Sequence, residues 1–138
     1  MAEALGFEVA LPLAFDAAVA TTREALKAEG FGILTEIDLR AAFKEKLGRE
    51  FRPYVILGAC NPPLAFAAVT AEPAVGLLLP CNVTVEAVGE QRSLARLTDP
   101  RALLASAPGG LSAALHELAT DARQRMERVV AALRRAAS

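Results

Sequence analysis

Tyr54-Val55-Ile56-Leu57-Gly58-Ala59-Cys60 carries no charge and runs directly into Asn61-Pro62-Pro63. Few environments suit such a stretch. A strand that faces water on one side alternates apolar and polar residues, whereas one covered on both faces is apolar throughout. The segment therefore reads as an interior strand of a sheet. Asparagine is a good helix N-cap and proline suits the first helical position, so a helix should begin at Pro62 and reach about Glu72, where Pro73 ends it.

The flanking chain supplies the remaining elements. Phe7-Glu8-Val9-Ala10-Leu11 reads as a first strand stopped by Pro12. Phe15 to Glu29 follows as a helix with Phe15, Val19, Thr22 and Leu26 near one face, and Gly30 stands where a left-handed cap would end it. Phe31 to Ile37 is the next strand. Asp38 caps a short helix striped by Leu39, Phe43 and Leu47 and closed by Gly48. Gly76 to Leu79 is apolar until Pro80 interrupts, and Cys81 to Val88 forms a further strand. Gly89-Glu90 turns it into Ser93 to Leu97. Asp99-Pro100 repeats the cap-and-proline signature for a helix to about Ser106, and Pro108-Gly109-Gly110 breaks it. The last helix runs from Leu111 to about Ala136, with a seam of Leu111, Leu115, Leu118, Ala122, Met126, Val129 and Leu133.

Strands and helices mixed in this order, without a Gly/Ser linker or repeat, give one α+β domain over residues 1–138. The net charge of −1 lacks the basic surplus of nucleic-acid binders. No apolar run is long enough to cross a bilayer. Glu3 stands where a signal peptide would carry positive charge, so the expected compartment is the cytoplasm, with Cys60 and Cys81 as free thiols. Aromatic residues are only 5% of a chain that is 54% hydrophobic, and much of that fraction is alanine. Such a surface, with a long terminal seam, predicts a homodimer.

Familiar catalytic signatures are absent: there is no GxSxG, Walker loop, HExxH or paired CxxC. Gly30-Phe31-Gly32 follows a helix, not a strand, and so lacks the setting of a dinucleotide-binding turn. His116, the only histidine, falls one position off the terminal seam and reads as a solvated or interface histidine.

Two similar tracts stand out, Gly58-Ala59-Cys60-Asn61-Pro62 and Pro80-Cys81-Asn82-Val83. Cys60 precedes a helix N-terminus, a setting that can lower a thiol pKa. Asn61 and Asn82 offer both donors and an acceptor without charge. Pro80 should mark where strand pairing begins, which would bring the two tracts to one end of the sheet. The reading is a small-ligand or thiol-chemistry module using Cys60, Asn61, Cys81 and Asn82. The alternative is a dimeric structural or interaction protein in which the cysteines only pack, and a third reading gives the thiols to a metal or haem. Neither a catalytic residue nor a cofactor is assigned.

These tracts, together with Gly30-Phe31-Gly32-Ile33-Leu34-Thr35-Glu36-Ile37-Asp38 and Gly76-Leu77-Leu78-Leu79, resemble the bacterial and archaeal family called domain of unknown function 302, over nearly the whole chain. The resemblance implies a TATA-binding-protein-like fold: a curved antiparallel sheet with helical inserts and a long C-terminal helix. It also implies a homodimer, and no established activity.

Overall fold

A computed structural model describes residues 1–106 and 111–138. The expected break at Pro108-Gly109-Gly110 lies outside the described residues. In chain order the elements are α1 (Ala2–Leu5), β1 (Gly6–Leu11), α2 (Phe15–Ala28), β2 (Gly32–Asp38), α3 (Leu39–Leu47), β3 (Tyr54–Cys60) and α4 (Pro62–Ala71). A 3-10 turn (Pro73–Leu78), β4 (Cys81–Gly89), β5 (Arg92–Thr98), α5 (Pro100–Ala105) and α6 (Ala113–Ala136) follow. The strands form one antiparallel sheet in the order β1-β5-β4-β3-β2. This is the α+β class read from the sequence.

Most helix starts are set by side-chain oxygens. Asp38 Oδ1 accepts from the Ala41 amide at 2.9 Å, Asn61 Oδ1 from Leu64 at 3.3 Å, and Asp99 Oδ1 from Arg101 at 2.9 Å. Gly30 and Gly48 close α2 and α3 at φ of 84° and 64°, left-handed values that a side chain would strain. Three segments differ from expectation: α1 has no counterpart in the sequence reading. Glu72 and Pro73 form a third acceptor-before-proline step, with Glu72 Oε1 accepting from Ala74 at 3.2 Å, so the apolar stretch before Pro80 winds into a 3-10 turn. The last helix starts at Ala113, not Leu111, because Ser112 Oγ caps it by accepting from Leu115 at 3.3 Å.

One face of the sheet carries the core. Val9, Leu11, Val55, Leu57, Ala59, Val83, Val85, Ala95 and Leu97 point inward and cluster with Ala18 and Leu26 of α2 and with Met126, Val129, Val130 and Leu133 of α6. β3 is interior, as read, but its outer face is only half covered, with Tyr54 and Ile56 partly exposed. The outer face of the neighbouring strands is polar. Glu86 is buried there between Arg52 and Arg96, and Arg96 also donates to Glu8 at 2.7 Å. Burial acts to raise the Glu86 pKa. The hydrogen bonds and charges of Arg96 and Arg52 outweigh it and hold the carboxyl below its ordinary range.

Asp99 does more than cap. Besides holding the Arg101 amide it takes an ion pair from Arg123 of α6, so one buried carboxylate ties α5 to the terminal helix. Asp99→Ala should therefore cost about 2–3 kcal/mol, more than a cap alone. Asp99→Asn, which keeps the cap and removes the charge, should fall between the two in urea unfolding. Equal losses for both variants would assign the whole effect to the ion pair.

Candidate functional site

The two cysteine-asparagine tracts meet at one end of the sheet. β4 begins at Cys81, paired with Ala59 of β3, and Asn82 pairs with Gly58. Gly58 is required there: a Cβ at this position would stand 2.2 Å from Thr35 Oγ1 and 2.9 Å from Pro80 Cγ. The glycine lets the Pro80 ring lie on β3, which seats the start of β4 beside the end of β3.

Cys60, Asn61 and Cys81 line one cavity of about 310 Å3. Its floor includes Phe31 and Ala59, and its walls come from Leu64 and Ala68 of α4, Leu103 and Leu104 of α5, and Leu118 and Ala122 of α6. The terminal seam divides here. Met126, Val129 and Leu133 enter the core as expected, whereas Leu118 and Ala122 are only partly buried and face the cavity, and Ala119 takes the packed position instead. Among the described residues no charged side chain lines it.

Asn82 stands apart. Successive residues of a strand face opposite sides, so with Cys81 turned toward the cavity Asn82 falls on the outer face. It borders a separate hollow of about 210 Å3 with Tyr54, Thr84 and Thr98, and Thr98 Oγ1 donates to its carbonyl at 2.6 Å. The four residues read as one site thus divide into three and one.

The electrostatics of the thiols differ from the expected direction. Cys60 does precede a helix N-terminus, but burial raises its pKa. The physical reason is desolvation, which penalises the charged sulfur. Burial pushes the Cys81 thiol up to about 11, and the negative charges of Cys60 and Asp99 add to the rise. At neutral pH both thiols are therefore neutral. His116 is exposed on α6 away from these groups, and no cluster of three or more His, Cys, Asp or Glu set to hold a metal occurs among the described residues. No helix among them is long and apolar enough to cross a membrane. The cavity itself had no sequence signal, since its walls are Ala and Leu side chains drawn from five separate elements.

Residues 7–133 match the family described as "Domain of unknown function DUF302". A crystal structure of an uncharacterized conserved DUF302 protein from Bacillus stearothermophilus superposes with a TM-score of 0.79 at 27% identity, covering 93% of this chain and 97% of that one. None of the curated proteins matches the chain.

Proposed function

The chain belongs to the DUF302 family, and from that premise we propose that it is a binding module for a small apolar molecule held at the Cys60–Cys81 end of the sheet. The observation that carries this reading is the cavity: it is lined by Cys60, Asn61 and Cys81 together with aliphatic side chains, and its volume of about 310 Å3 suits a small ligand. Neutral, unbridged thiols belong in such a wall as packing and weak hydrogen-bonding groups. Thiolate chemistry is the less favoured form of the same site, because both thiol pKa values are raised.

NMR titration with benzene tests the reading. The methyl signals of Leu34, Val69, Leu79 and Leu104, all on the cavity wall, should shift together. Ala65→Phe, which places a ring into the cavity from α4, should abolish the shifts. Unmoved methyl signals at millimolar benzene would remove the proposal.

A second reading, a protein that pairs with itself, rests on a different observation. α4 (PPLAFAAVTA) has no charged residue, yet Phe66 is 76% exposed, and the nearby Leu77 also faces outward. A helix apolar on all sides is normally covered, and a second copy of this chain would cover it. Light scattering at micromolar concentration should then exceed the 14.5 kDa monomer mass, and Phe66→Glu should return it to that mass. A wild-type protein that scatters as a monomer would end this reading.

A further inference from the structure

We infer that residues 62–79 form a strap that lifts from the end of the sheet as a unit and gates the cavity, with Asn61-Pro62 and Leu79-Pro80 as its two hinges. This rests on the cavity-binding reading above and adds how a ligand gains entry. The two tracts singled out in the sequence then share a mechanical role. Cys81 pairs with Ala59, and the Pro80 ring lies against Gly58, so the chain leaves β3 and enters β4 at neighbouring points. A segment whose ends are that close can swing outward without unpairing either strand. Compact loops with adjacent ends are a recurring functional device, and lids turn on a few residues at the ends of elements.

The strap is lightly held. Of residues 62–79 only Ala68 and Val75 are buried. Both belong to a small cluster with Leu104 of α5 and with Leu115 and Ala119 of α6, apart from the main cluster of the sheet, α2 and α6. Leu79, at the second hinge, packs against both clusters. The side-chain hydrogen bonds here, from the Leu64 amide to Asn61 and from the Ala74 amide to Glu72, are local. Among the described residues no ion pair or side-chain hydrogen bond joins the strap to the sheet, α5 or α6. Yet the strap supplies Leu64, Ala65, Ala68, Val69, Gly76 and Leu79 to the cavity wall. Segments with few buried apolar contacts open at lower free energy than the core does. The segment most easily lifted is therefore one whose lifting uncovers the cavity. A ligand between strap and sheet would hold the closed form, because it loses one wall of its site when the strap opens.

Hydrogen exchange on the whole chain separates strap opening from global unfolding. Amides of Ala65 to Ala71 should be protected at least about tenfold less than those of β3. Leu57→Ala weakens the main cluster outside the strap. It should speed exchange in β3 by at least about 30-fold and leave α4 unchanged, because the sheet stays intact while the strap is open. Val83→Ala, on the paired strand, gives the same comparison if the first variant does not fold. Benzene at ten times its dissociation constant should slow α4 exchange about tenfold. Cys81 lines the cavity behind the strap, so its alkylation, followed by peptide mass, should slow with benzene and should not respond to Leu57→Ala. Equal acceleration of α4 and β3 by Leu57→Ala would make the strap part of one cooperative unit and overturn the inference, as would Cys81 alkylation that rises with β3 exchange. Methyl shifts on adding benzene with unaltered α4 exchange would overturn the gate and leave the cavity reading intact. Absence of any methyl shift would remove the cavity reading and the gate with it.

Discussion

Leu57→Ala should lower the unfolding free energy by about 2–5 kcal/mol. Leu57 sits in the middle of β3, fully buried, paired with Val83 on one side and Glu36 on the other. Its side chain belongs to the cluster that joins the sheet to α2 and α6. Removing it leaves a cavity between layers whose side chains are already small, so few large neighbours can collapse into the gap. Leu77→Ala gives the control: that leucine is 90% exposed, and its loss should change stability by about 0.5 kcal/mol or less. In urea the midpoint should fall for Leu57→Ala with the slope unchanged. A loss under about 1 kcal/mol would mean that β3 is not the strand on which the core is built.

β3 was the most legible element because its sequence is unusual for anything except an interior strand. The caps were legible for a similarly local reason: Asp38, Asn61 and Asp99 each act on amides two or three residues away. Glu72-Pro73 carries the same signal in a less familiar residue, which hides the 3-10 turn it starts. α1 leaves no sequence signal either, being four residues with no side-chain cap. β2 was found as a strand, but its place at the sheet edge was not evident, because Leu34 and Ile37 look like core residues and are exposed.

The site was legible in its two tracts and not in its shape. Pro80 correctly marked the start of pairing, which brought Cys81 beside Ala59. Strand alternation then separated Asn82 from Cys81, a consequence that spacing along the chain conceals. The thiol pKa direction depends on how buried Cys60 is, which is a tertiary fact. Leu118 and Ala122 fitted the terminal seam by periodicity, yet they line the cavity because α4 and α5 do not close against that part of α6.

Cys81 should resist alkylation at neutral pH and should make the protein lose stability in alkali. With its pKa at about 11, against ~8.5 for a free thiol, the thiolate fraction at pH 7 falls roughly 300-fold. The greater nucleophilicity of a more basic thiolate returns about tenfold. Iodoacetamide should therefore react on the order of 30-fold more slowly than with a free thiol, before any further slowing from restricted access. The same shift fixes the sign of the pH dependence. The folded state keeps the thiol protonated to a higher pH than the unfolded chain does, so its contribution is complete below about pH 8.5 and disappears as the pH rises through about 11. Its size is on the order of 3 kcal/mol. Cys81→Ser, which does not titrate in that range, should remove this part of the alkaline loss while leaving the contributions of other groups in place. The Cys81→Ser protein also isolates Cys60, whose half-buried thiol should react faster than Cys81 and still more slowly than a free one. If either cysteine instead alkylated at the free-thiol rate at pH 7, a thiolate would be accessible at the end of β3. Thiol chemistry would then replace apolar binding as the better account of the site.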